Sequence, residues 1–173
     1  FISFTGSKGV GLHINEEAAK TRDGQKWIKR VVAELGGKDA IIVTDDADID
    51  SAAAGIVSAA FGFQGQKCSA CSRLIVDEKV HDELVEKVVS LTESLRIGQP
   101  AEGDTNVSAV INKRSFDTTL NYIKKGTEEG GEVLIGGTGD DTNGYFIQPT
   151  VIANVQPGAT IEQEEIFAPV LAV

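Results

Sequence analysis

Cys68 is the residue in this sequence best placed for covalent chemistry. It stands in Gly65-Gln66-Lys67-Cys68-Ser69-Ala70-Cys71-Ser72-Arg73, between a predicted helix and a predicted strand. A thiolate there would attack an electrophilic carbon and later leave, and the neighbouring Lys67 favours the anionic sulfur. Taken alone, such a cysteine is more often a small buried hydrophobe than a nucleophile. The Cys68-x-x-Cys71 spacing also admits a redox dithiol or half of a zinc site. Structural zinc takes four ligands, commonly as two close pairs, whereas His13 and His81 are single and distant, so no metal site is expected.

Glu34 precedes Leu35-Gly36-Gly37-Lys38 at the end of a predicted strand, where a carboxylate facing a cleft suits a general base. It also fits an ordinary surface role among 26 acidic residues. Gly6-Ser7-x-x-x-Gly11 forms a turn into a helix whose N–H groups and Ser7 hydroxyl suit a phosphate. Its spacing departs from the Gly-x-Gly-x-x-Gly dinucleotide pattern, so the turn by itself names no ligand.

These residues need elements to position them. Phe1 to Thr5 reads as a strand and Val10 to Lys20 as the helix after the glycine turn. Strands are expected over Ile28 to Leu35 and Ala40 to Thr44, and Gly36-Gly37 ends the first. Asp46 and Asp48 are placed to cap a helix from about Ile49 to Phe61, with Gln64 to Ser69 as the loop leaving it. Ser72 to Val76 then reads as a strand, Glu78 to Leu95 and Lys113 to Glu129 as amphipathic helices, and Glu132 to Ile135 and Phe146 to Val155 as strands. Gly136 to Gly144 is expected to be a flexible surface connection. Alternating strands and helices predict an α/β fold, an open and mainly parallel sheet with helices on both faces.

A chain of 173 residues buries roughly two-thirds of its unfolded surface, and 41% hydrophobic with 24% charged residues is ordinary for a globular domain. The formal net charge of −10 argues against nucleic acid as a partner. No apolar run approaches the roughly 20 residues that span a bilayer, so no membrane partner is expected. Two cysteines and no signal-like N-terminus favour a reducing, cytoplasmic setting. Phe1 in place of an initiating Met, and the apolar run Phe167 to Val173 stopped without a turn signal, read as ends cut from a longer chain.

Five motifs occur together in one order: Phe4-Thr5-Gly6-Ser7, Glu34-Leu35-Gly36-Gly37-Lys38, Gly65-Gln66-Lys67-Cys68, Gly144-Tyr145-Phe146-Ile147-Gln148-Pro149-Thr150 and Glu164-Glu165-Ile166-Phe167-Ala168-Pro169-Val170. In order and approximate separation they resemble the motifs of aldehyde dehydrogenases, and the resemblance covers essentially the whole chain. It implies that Cys68 is the nucleophile and Glu34 the general base. It also implies cofactor contacts at Gly6, Ser7 and Leu35, a ribose contact at Glu165 and a nicotinamide contact at Phe167. The cofactor implied is NAD or NADP, since the residue that discriminates them would lie upstream. Ala168 stands where the family has glycine, Gly9 is an additional glycine in the phosphate turn, and Cys71 matches no catalytic position.

The same resemblance implies residues 1–33 as a remnant of a dinucleotide-binding domain and 34–173 as a catalytic domain incomplete at its C-terminus. The family's oxyanion asparagine and cofactor lysine would precede Phe1, and its substrate-anchoring loop and oligomer segment would follow Val173. The isolated chain is therefore expected to be inactive, the full-length protein a homo-oligomer. Gln66 to Arg73 and Val107-Ser108-Ala109-Val110-Ile111 look most like 1-pyrroline-5-carboxylate dehydrogenases. That likeness implies oxidation of L-glutamate γ-semialdehyde to glutamate in proline or arginine catabolism. Lys67 and Ser69, flanking Cys68, are then candidates to hold the substrate carboxylate, and they read equally as ordinary loop residues. The competing expectation is a non-catalytic α/β interaction module that pairs through an uncovered sheet edge.

Overall fold

The computed structural model describes all residues, Phe1–Val173, and they fall into two compact units, Phe1–Gly37 and Lys38–Val173.

The smaller unit is one strand-helix-strand turn. β1 (Ile2–Thr5) pairs in parallel with β2 (Val31–Glu34), in register from Ile2 opposite Val31 to Thr5 opposite Glu34. α1 (Lys8–Ala19) makes the crossover and starts two residues before the expected Val10, because Ser7 already supplies the extended cap residue. β2 starts three residues after the expected Ile28; Trp27 and Ile28 stay outside the sheet and are exposed. Gly11 is the tight point: a Cβ there would lie 2.4 Å from Cδ2 of Leu35, so a side chain at this position of α1 would require the Leu35 side chain to move.

The larger unit carries a five-stranded sheet. Its strands are β3 (Asp39–Val43), β4 (Cys71–Val76), β9 (Val170–Ala172), β8 (Thr150–Ala153) and β5 (Glu132–Ile135), in that spatial order. The first four run parallel and β5 is antiparallel to β8. Alternation along single strands shows helices on both faces. Val151 and Leu171 join a core with α2 (Ile49–Phe61) and α3 (His81–Glu93), while Ile152, Val170 and Ala172 join another with α4 (Lys113–Glu128) and α5 (Thr160–Gln163). The open, mainly parallel α/β architecture expected from the sequence is thus the one observed.

Local chemistry explains the helix bounds. Asp48 caps α2 by accepting the Ser51 N–H at 2.8 Å, and Ala53, Ile56, Val57, Ala60 and Phe61 form its buried stripe. Asn112 caps α4 by accepting the Ser115 N–H at 2.9 Å. α3 begins three residues later than expected because Asp77 accepts the Lys79 N–H at 3.0 Å in a turn that must end first. Two further expectations are corrected. Phe146 to Val155 is not one strand: Pro149, which has no N–H to donate, separates β7 (Phe146–Ile147) from β8. Within Gly136 to Gly144, β6 (Gly139–Asp140) pairs antiparallel with β7, so that connection is partly a ribbon.

Candidate active site

The turn carrying Cys68 is built from the buried end of α2. Gly62 ends the helix, its N–H donating to the Ser58 carbonyl. Phe63 and Gln64 then take left-handed conformations at φ 54° and 59°, each costing about 1–3 kcal/mol for a non-glycine residue. Gly65 follows at φ +65°, and a Cβ on it would lie 2.4 Å from the Ala168 carbonyl oxygen and 2.9 Å from that of Ala60. Only glycine lets the Phe167-Ala168 backbone pass so close, and that approach fixes the two motifs against each other.

Side chains then stitch the turn to the segment before α4. Gln66 Oε1 accepts the Ile111 N–H at 3.0 Å. With its amide oriented to satisfy both neighbours, Gln64 accepts the Ser108 N–H at 2.8 Å and donates to the Phe63 carbonyl at 3.0 Å. The Ala70 N–H closes the turn on the Lys67 carbonyl at 3.0 Å, leaving Cys68 and Ser69 exposed at its tip. Lys67 reaches back toward Gly62, where a cation faces the carbonyl end of α2. Cys71 differs from Cys68: it is buried in β4, burial pushes its thiol pKa up, and its Sγ donates to the Arg73 carbonyl at 3.3 Å. Both thiols are free.

The opposing segment follows the same logic. Ile166 and Ala168 are buried on either side of Phe167, whose left-handed backbone at φ 58° leaves the ring 43% exposed. Three of the four left-handed non-glycine residues, Phe63, Gln64 and Phe167, therefore belong to these two adjoining segments. Strain concentrated in this way marks a functional site. Glu165 is exposed beside Phe167, and Glu164 accepts the Tyr122 hydroxyl at 2.7 Å, a bond that lifts the phenol pKa to about 12.

Glu34 and the glycine turn lie in the smaller unit. Glu34 is the exposed last residue of β2, and its carbonyl accepts the Gly6 N–H at 3.0 Å, which holds the turn beside the strand end. Ser7 is exposed and makes no side-chain capping bond, and the first turn of α1 contains no acidic residue. Free helix N–H groups, an uncommitted hydroxyl and Lys8 fit a pyrophosphate.

Lys38, Arg73 and Glu162 form a further cluster that no sequence motif brings together. Arg73 Nη1 donates to Glu162 Oε1 at 2.8 Å. Lys38 Nζ is buried without a hydrogen-bond partner, and burial, then the Arg73 charge, lowers its pKa to about 8. No local signal marks the Arg73 contact, because its partners stand 89 residues apart.

The aldehyde dehydrogenase family model matches residues 1–173. The chain belongs to the aldehyde dehydrogenase family. It is 53% identical over 173 residues to 1-pyrroline-5-carboxylate dehydrogenase of Bacillus subtilis (strain 168) and 55% identical over 172 residues to that of Geobacillus thermodenitrificans (strain NG80-2). It spans 33% of the length of each, and 100% and 99% of this chain is matched. Among solved structures, a Thermus 1-pyrroline-5-carboxylate dehydrogenase with bound NAD is 48% identical at a TM-score of 0.95, covering 99% of this chain and 33% of that one. The α/β architecture is thus that of the family.

Proposed function

We propose that this chain is the part of an NAD-dependent 1-pyrroline-5-carboxylate dehydrogenase that holds the nucleophile, and that the full-length protein oxidises L-glutamate γ-semialdehyde to glutamate. The exposed Cys68, held on a turn that Gly65 locks against Phe167-Ala168, carries this reading. Residues 1–33 would belong to the cofactor domain and 34–173 to the catalytic domain, with Glu34 to Gly37, which pack in the smaller unit, as the joint between them.

Cys68 as thiolate adds to the aldehyde carbonyl, and the tetrahedral oxyanion is met by its own backbone N–H at the turn tip. Bound NAD supplies the hydride acceptor. Loss of hydride from the Cys68 thiohemiacetal leaves a thioester, which water hydrolyses after giving its proton to Glu34. Gly6, Ser7 and the N-terminus of α1 would hold the pyrophosphate, with Leu35, Glu165 and Phe167 as further cofactor contacts. Ser69, beside Cys68 on the turn tip, and Lys67 would bind the substrate carboxylate. Free thiols suit a reducing compartment such as the cytoplasm. Ile42 and Ile75, register partners on β3 and β4 that are 70% and 49% exposed, would be covered in a homo-oligomer of the full-length protein.

The test is aldehyde-dependent NADH formation by the full-length protein, with glutamate semialdehyde compared against aliphatic aldehydes. Preference for the semialdehyde, abolished by Cys68→Ala, is expected. Activity only on other aldehydes would remove the substrate assignment, and activity surviving Cys68→Ala would remove the mechanism.

A further inference from the structure

Arg73 and Glu162 take no part in the steps above, yet they join the two segments that carry them. Arg73 is the third residue of β4, which leaves the Cys68 turn; Glu162 lies in α5, three residues before Glu165 and five before Phe167. Their 2.8 Å bond is partly shielded, the two side chains being 29% and 24% exposed. The second carboxylate oxygen of Glu162 accepts the Gly158 N–H at 3.3 Å and the Gln163 amide. One carboxylate thus ties the loop before α5 and α5 itself to the central sheet.

α5 has four residues, too few to hold a helix by its own hydrogen bonds, so tertiary contacts set its place. Ile161 enters the core fully buried, and Glu129 accepts both the N–H and hydroxyl of Thr160 at 2.6 and 2.7 Å. Tyr122 holds Glu164 from α4. Of these anchors, Arg73 alone comes from the strand that continues the nucleophile turn. The Gln163 amide first, and then the Arg73 guanidinium, hold the Glu162 carboxyl below the ordinary carboxylate range, so it stays ionised and available to Arg73.

We infer that Arg73 and Glu162 form a positioning pair that sets Glu165 and Phe167 at the correct height above Cys68 for the dinucleotide. The inference rests on the dehydrogenase reading. Neither residue touches the reacting atoms, so loss of the pair loosens the cofactor and leaves the thiol chemistry alone.

The experiment compares full-length protein with its Glu162→Gln and Glu162→Asp variants. It follows NAD affinity by direct titration, KM for NAD and for aldehyde, kcat, thermal midpoint and the rate of Cys68 alkylation by iodoacetamide. Glu162→Gln is expected to weaken NAD binding and raise its KM by about 5-fold or more, the low end for coupling between sites. Aldehyde KM, kcat at saturating NAD and alkylation rate should stay within about 2-fold, a change of roughly 0.4 kcal/mol. Glu162→Asp should recover most of the NAD affinity. Unchanged NAD affinity in Glu162→Gln overturns the inference. So does a uniform loss in thermal midpoint, kcat and both KM values, which marks a merely structural contact. If the parent oxidises no aldehyde, the functional reading falls by itself, and the NAD titration of parent against Glu162→Gln still decides the pair.

Discussion

Cys68 follows a helix with five buried residues and precedes a strand inside a five-stranded sheet. Glu34 ends the second strand of a two-stranded sheet whose helix buries only Gly11 and Ala18. Cys68 is therefore placed by a deep core whose fully buried aliphatic and aromatic side chains contribute about 1.5–3 kcal/mol each. Glu34 is placed by backbone pairing and one glycine contact. One functional group has its geometry fixed by packing around it, and the other owes its position to a local strand-helix-strand unit. The two regions should respond differently to mutation and pH.

The widest separation is expected in stability. Leu84, fully buried against α2, should cost about 2–5 kcal/mol as Leu84→Ala. Val32→Ala in β2, where the side chain is 47% exposed, should stay within about 0.5 kcal/mol. Urea unfolding of the full-length protein checks both, and equal losses would break the contrast. Gly65→Ala comes next, because a left-handed alanine costs about 1–2 kcal/mol and its Cβ meets the Ala168 carbonyl oxygen at 2.4 Å. Thermal unfolding with Cys68 alkylation should show both a lower midpoint and an altered thiol reactivity; an unchanged alkylation rate would mean that Gly65 does not set the turn.

The larger unit should also show a pH dependence of its own, at Lys38. Its folded pKa of about 8 lies below the ordinary 10.5, so between those values the unfolded chain binds more protons and stability rises with pH. Lys38→Met should be more stable than the parent at pH 7, and the gap should narrow as pH climbs from about 8 toward 10.5. A gap that stays constant over that range would show that Lys38 is not desolvated.

Much of this arrangement was legible in the sequence, for identifiable reasons. Asp48 and the alanine-rich stripe announced α2, and Glu132–Ile135 was bounded by Gly130-Gly131 and Gly136-Gly137, so local signals and the observed elements agree. The position of Cys68 between α2 and β4 followed from them. The break at Pro149 was visible as a residue type but was overridden by the apolar run around it. α5 spans too few residues to show a period, and Phe63 and Gln64 adopt left-handed backbone without the glycine that signals it. The Arg73–Glu162 contact closes over 89 residues, a distance at which no local pattern operates.

The central claim is that Cys68 is acylated and that Glu34 serves only the release of the acid. Rapid-quench mass spectrometry of full-length Glu34→Gln, mixed with NAD and aldehyde, tests it most directly. Predicted are one burst of NADH, an acyl adduct on the peptide containing Cys68, and steady turnover slowed by about 10²–10⁴-fold. Full turnover without an accumulating adduct, or an adduct on any residue other than Cys68, would contradict the account.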